Sequence, residues 1–145
     1  MFGKVYDIAA AAMSANRLRI NTIASNIANA NTTKTDEGGP YKRKDVALRA
    51  TDIQGDEFAS ALDRASMKSV AVAAVVEDQS EPRMVYDPAH PDADPKTGMV
   101  AMPNINPVTE MVNMLSASNA YKAAAEVVNV SKQMTQVLER LAQRF

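Results

Sequence analysis

The chain has 145 residues, with 16 basic and 17 acidic side chains, a formal net charge of −1 and no cysteine. A near-neutral balance without a basic tract excludes the footprint of nucleic-acid binding and of docking to an anionic membrane surface. Lack of thiols excludes disulfides, thiolate metal sites and Cys nucleophiles.

Hydrophobic residues make up 46% of the sequence, but aromatics only 5%, with no Trp. Bulky core anchors are therefore few, and much apolar surface is expected to be buried against other chains. No P-loop, GxSxG, HExxH or Rossmann-like glycine pattern occurs. Neither an enzyme activity, a cofactor nor a small-molecule substrate is expected.

Charge divides the chain into three parts. Residues 1–31 carry 4 charged side chains, residues 32–103 carry 22, and residues 104–145 carry 7. The ends are thus the least charged parts, the reverse of solvated tails. The first part has helical spacing. Ala9, Met13, Asn16, Ile20, Ile23, Ile27 and Ala30 alternate steps of four and three, which places them on one helix face. No Pro or Gly interrupts residues 4–31, and the helix is expected to end near Asn29–Asn31. Met1–Ala15 superficially resembles a secretory signal. Asp7 within the apolar run, and a helical pattern that continues past the small residues, predict a retained helix instead.

In the middle, Gly38-Gly39-Pro40 predicts a turn. Ser69–Glu77, rich in Val and Ala, predicts a strand. Pro82–Tyr86 and Met99–Met102 predict two short strands, with Pro82 at an edge. Pro88, Pro91, Pro95 and Gly98 fill the loop between them. Asp56–Ser66 is a possible short helix. Within the loop, Asp87, His90, Asp92 and Asp94 form the nearest approach to a metal constellation. The interleaved prolines favour turn chemistry for the same residues, and an EF-hand would need a central Gly and a terminal Glu that are missing. No metal site is expected.

The last part opens at Asn104–Pro107, with Pro107 in the first helical turn. From Val108 to Phe145 there is neither Gly nor Pro. Ala117, Ala120, Ala124, Val127, Ser131, Met134, Leu138, Leu141 and Phe145 keep the three-four spacing, and the length suggests a coiled coil. The expected fold is mainly α with a small β-containing middle, its long N- and C-terminal helices pairing as a coiled-coil-like hairpin. The division expected is 1–33 for the first helix, 34–103 for the middle region and 104–145 for the second helix. Such a hairpin cannot bury broad apolar faces alone, so the surplus is expected to meet neighbouring subunits.

Ser25-Asn26-Ile27-Ala28-Asn29-Ala30-Asn31-Thr32 resembles the signature at the end of the N-terminal helix of flagellar axial proteins. With Ser14–Arg19 upstream and Gly38–Lys44 downstream, the chain resembles the proximal-rod members of that family. Val85–Asp94 is similar to their Tyr-Asp-Pro-x-His-Pro-Asp-Ala loop. Gly98–Asn106 and Glu110–Tyr121 resemble the entry to, and start of, their last helix. Asn119, Lys122 and Ala124 depart from the residues usual there, and 46–68 matches no pattern of the family.

The resemblance implies a structural subunit of a hollow, torque-transmitting rod in the periplasm, exported without a cleaved signal and allowing export of later subunits. It implies as partners other copies of the chain, rod proteins of the FlgB, FlgF and FlgG types, the base adaptor FliE and the type III export apparatus. The subunit-packing residues expected are Ile20, Ile23, Asn26, Ile27 and Asn29 on the first helix, and Val127, Met134, Leu138 and Leu141 on the last. Asn26 and Asn29 are expected to hydrogen-bond across packed helices, fixing register. Tyr86, Asp87, Pro88, His90, Pro91 and Asp92 are expected to form a rigid loop that contacts a neighbour.

Overall fold

The computed structural model describes residues 2–52 and 67–142. The possible helix at Asp56–Ser66 lies outside them. In chain order the elements are α1 (Phe2–Ala28), β1 (Lys44–Asp52), β2 (Lys68–Glu77), β3 (Arg83–Tyr86), β4 (Met99–Met102) and α2 (Pro107–Ala142). The two helices and the strands β2, β3 and β4 are those the sequence pattern predicts; β1 is added, and both strand pairs are antiparallel.

α1 runs for 27 residues because nothing in it breaks a helix. It stops where the Asn-rich turn begins, and Asn29 N–H still reaches Ser25 O at 3.0 Å. α2 starts at a well-formed N-cap. Asn106 Oδ1 accepts from the backbone N–H groups of Val108 and Thr109 at 3.0 and 3.4 Å. Pro107 occupies the first helical position, where its missing N–H costs nothing.

β1 and β2 form an antiparallel ribbon from Lys44 opposite Glu77 to Asp52 opposite Lys68. The register shifts between Ala47 and Leu48, leaving Ala73 of β2 as the extra residue of a bulge. β3 and β4 form a second, shorter antiparallel pair. Gly98 precedes β4 with φ +66, and a Cβ there would lie 2.9 Å from Tyr86 Cε2. Only glycine meets both conditions without strain.

α1 packs along α2 and against both strands of the ribbon. The C-terminal end of α1 lies at the start of α2, so the helices run antiparallel, with the Asn26–Glu110 contact near the turn. Every residue of the expected α1 stripe is buried or half-buried. On α2 the seam is shifted from the expected one. Glu110, Ala117 and Ser131 are buried, and Met114, Tyr121, Ala124, Val128 and Thr135 are half-buried. The chain thus shares Ala117, Ala124 and Ser131 with the expected stripe but takes the residue four further on, not three. Ala120, Val127, Met134, Leu138 and Leu141 are exposed.

Among the described residues the buried apolar ones are Ala9, Ala15, Ile23, Ala30, Val46, Val100, Ile105 and Ala117. Half of them are alanine. At about 25 cal/mol per Å² of apolar area, alanines contribute little each, so this core is thin for so long a helix pair.

Candidate functional site

Two features stand out: a polar knot that ties the helices to the ribbon, and apolar surface on α2 that the described residues leave exposed.

The knot centres on Asn26, which is fully buried. Its Nδ2 donates to Lys44 O at 2.7 Å and to Glu110 Oε2 at 3.0 Å. Its Oδ1 accepts from Lys44 N–H at 2.9 Å and from the Tyr41 hydroxyl at 3.2 Å. All four capacities of the side-chain amide are met. Asn26 pairs with the Lys44 backbone as a neighbouring strand residue would, so α1 holds the first residue of β1 in place.

Glu110 is 1% exposed. Besides Asn26, it accepts from Arg43 Nε at 2.9 Å and from Asn113 Nδ2 at 3.5 Å. Arg43 also reaches Asp45 at 3.2 Å. Burial pulls the Arg43 guanidinium down, but the hydrogen bond and charge of Glu110, then those of Asp45, outweigh it and hold its pKa above the ordinary value. A buried carboxylate so partnered stabilises only as a complete set, because removing one partner strands the others. No buried side-chain polar atom among the described residues lacks a partner.

Asn29 behaves differently from Asn26. Its Nδ2 donates to Ser25 O at 2.9 Å and its Oδ1 accepts from Thr32 Oγ1 at 3.1 Å. It closes the helix end, and among the described residues its side chain bonds only Ser25 and Thr32. The physical reason is position: it lies past the last turn of α1, where free carbonyls compete for its amide.

The loop between β3 and β4 uses its polar side chains on itself. Asp87 Oδ1 accepts from Ala89 N–H at 3.2 Å, and His90 Nδ1 accepts from Asp92 N–H at 3.1 Å. Asp94 accepts from Lys96 N–H and Thr97 Oγ1, both at 3.0 Å. These bonds, that of Lys96 first, hold the Asp94 carboxyl below its ordinary value. Thr33 Oγ1 donates to Asp92 Oδ2 at 2.7 Å, tying the loop to the segment after α1. Tyr86, Pro88 and Pro91 are exposed. Among the described residues no group of three or more His or acidic residues could hold a metal ion.

The apolar face lies on α2. Among the described residues, ten of the sixteen exposed large hydrophobic ones belong to it. Val108, Met111, Val112 and Leu115 form one patch near its start; Val127, Val130, Met134, Val137, Leu138 and Leu141 form another toward its end. At about 1.5 Å per residue for both helices, a walk from the Asn26–Glu110 contact exhausts α1 opposite Met134. The last turns of α2 therefore project past α1, and every residue from Gln136 to Ala142 is exposed. Among the described residues no helix is long and apolar enough to cross a membrane.

Sequence reasoning missed Glu110, Arg43 and Tyr41 as members of one cluster. One signal was available: the line Ala117, Ala124, Ser131, extended back by seven, meets Glu110, a charge on a seam position. Arg43 and Tyr41 join through the tertiary fold alone.

Comparison with known proteins separates these features from those of unrelated helical hairpins. Residues 7–34 match the model of the family described as flagella basal body rod protein, and residues 96–141 match that of the flagellar basal body rod FlgEFG protein C-terminal region. The flagellar basal-body rod protein FlgC of Borreliella burgdorferi is 42% identical over 135 residues, covering 88% of this chain and 89% of that protein. The chain belongs to the FlgC family of flagellar basal-body rod proteins. FlgC of Escherichia coli O157:H7 is 41% identical over 130 residues, 90% of each chain. FlgC of Bacillus subtilis is 36% identical over 138 residues, 88% of this chain and 89% of that one. The family is a structural component of the flagellar rod and not an enzyme. The two family models take in both helices and the β3–β4 hairpin's last strand, and leave the β1–β2 ribbon outside.

Proposed function

We propose that the chain is a proximal-rod subunit that builds a hollow shaft by packing its terminal helices against those of neighbouring subunits. The observation that carries this reading is the pair of exposed apolar patches on α2, the second running into an overhang that has no partner among the described residues. Exposed apolar patches of this kind mark interaction sites. Val127, Met134, Leu138 and Leu141 lie on it. Ile20, Ile23 and Ile27 serve instead to hold α1 in the chain's own core, with half-buried Ile20 and Ile27 able to share contacts outward.

In this reading the shaft stands in the periplasm, transmits torque through many repeated helix contacts, and leaves a bore for export of later subunits. Its neighbours are further copies and rod proteins of the FlgB, FlgF and FlgG types, with FliE at the base. Its own route is the type III export apparatus without a cleaved signal. The β3–β4 loop, pre-shaped by its internal hydrogen bonds, presents Tyr86, Pro88 and Pro91 to an axial neighbour. The terminal helices form the inner wall (1–33 and 104–145) and the middle region (34–103) packs outside or between them.

The test is electron microscopy of basal bodies from cells in which the chain is replaced by Leu138→Glu. Leu138 is half exposed, so the charge leaves the chain's own core intact. Rods absent or truncated at the base support the reading; complete rods containing the variant contradict it.

A further inference from the structure

A pocket of about 250 Å³ lies between the turn after α1, the link from β2 to β3 and the end of β4. Pro40, Tyr41, Pro82 and Pro103 line it, and a side chain added at Gly38 or Gly39 would meet only open space. The lining is mostly apolar, with Lys42, Arg43 and Asp78 supplying its charges. Small-molecule sites usually hold roughly 300 Å³ or more; this one has the size for a single side chain.

A side chain of matching character stands on the same molecule. Tyr86 ends β3 and is 69% exposed, the one aromatic among the exposed large hydrophobic residues described. The ring edge that carries Cδ2 and Cε2 lies against Gly98, whose missing Cβ makes room for it. The ring is thus oriented before any contact forms, so ordering it on binding costs little. Tyrosine joins an apolar body to a polar tip, which suits an apolar pocket with charged groups on its lining.

Tyr86 is out of reach of its own pocket. Pro82 and Tyr86 lie about 13 Å apart along an extended strand, and pairing with β4 holds that strand straight. Charge points to a second copy as the occupant. From Asp87 to Lys96 the loop carries three acidic side chains and one basic, and Asp87 is exposed next to Tyr86. The pocket carries the start of the Lys42-Arg43-Lys44 run. Lys42 is exposed and forms no ion pair among the described residues. An exposed pair of Asp87 with Lys42 would add little affinity; it would set orientation, while the ring supplies the burial. Knob and pocket are different surfaces, so the contact is heterologous and repeats in one sense, as a rod requires.

We propose that Tyr86 of one copy inserts into the Pro40–Pro82–Pro103 pocket of the next, with Asp87 beside Lys42. The proposal rests on the reading that copies assemble into a rod, and it names the surface that receives the β3–β4 loop.

The test is photo-cross-linking of purified basal bodies from cells carrying Tyr86→p-benzoylphenylalanine, which keeps an aromatic knob. The expected result is an adduct of twice the chain's mass on a denaturing gel, mapped by mass spectrometry to residues 38–43, 78–82 or 103–104 of the second copy. An adduct mapped elsewhere on the chain, or to a different protein, overturns the proposal. Should the bulkier ring keep the chain out of rods, a thiol pair decides. The chain has no cysteine, so engineered thiols report without background. Asp87→Cys and Lys42→Cys on separate copies should give a dimer with a short thiol cross-linker, and neither alone should. Incorporation without the adduct or the dimer overturns the knob and pocket and leaves the rod reading standing. Absence of the unaltered chain from purified rods overturns the rod reading, and this contact with it.

Discussion

Asn26 uses every hydrogen-bonding capacity of its amide inside the chain, and four polar groups depend on it. Asn26→Ala leaves the buried Glu110 carboxylate and the Lys44 backbone short of partners. Each stranded buried group costs roughly 1–3 kcal/mol. A loss of about 3 kcal/mol in urea unfolding is expected, and a loss under about 0.5 kcal/mol, the size of an ordinary surface change, would show the knot to be dispensable. Asp94 makes a different kind of prediction. Its folded carboxyl titrates below the ordinary 3.8, so its contribution to loop order is present above that value and is lost as pH falls through the lower folded one. The Lys96 amide signal should follow a midpoint below 3.8 in an NMR titration, and Asp94→Asn should abolish it. A midpoint at or above the ordinary value would contradict the bonds drawn here.

At the scale of elements, α2 depends on its start more than on its middle. Asn106 satisfies two of the orphan N–H groups of the first turn, next to the buried Glu110. Asn106→Ala should cost about 1 kcal/mol, read as a lower denaturation midpoint with an unchanged slope. Asn106→Asp keeps the cap and should restore most of it. The ribbon, by contrast, is an element whose local signals are uneven. β2 is Val- and Ala-rich and declares itself as a strand, whereas β1 carries four charges in nine residues. Its strand character comes from pairing with β2 and from Asn26, which clamps Lys44 at one end.

The whole molecule is a thin core with a surplus apolar face. α2 is 36 residues long against 27 for α1, so its end runs past α1 and is exposed among the described residues. Leu138→Glu should therefore leave the urea midpoint of the isolated chain within about 0.5 kcal/mol in stability terms, as for other exposed sites, while abolishing incorporation into rods. Ile23→Asp should do the reverse of a clean assembly defect: Ile23 is 6% exposed, and a charge there unfolds the subunit before assembly is tested. A stability loss at Leu138 comparable with that at Ile23 would mean that the overhang is covered by the chain itself.

Much of this was written in the linear sequence. Long stretches free of Gly and Pro, the three-four spacing, and the Asn106-Pro107 start determine two helices. Val-rich and Gly-bounded runs determine β2, β3 and β4, and Gly98 determines the turn into β4. The rotation of α2 was decided only by the tertiary structure. Ala117, Ala124 and Ser131 are flanked by apolar residues on both sides, so periodicity alone allows the seam to continue through Ala120, Val127 and Met134 or through Tyr121 and Val128. Glu110 breaks the tie. Its carboxylate must meet Asn26 and Arg43 to be buried at all, and that contact turns Tyr121, Val128 and Thr135 toward α1 and leaves Val127, Met134, Leu138 and Leu141 facing outward.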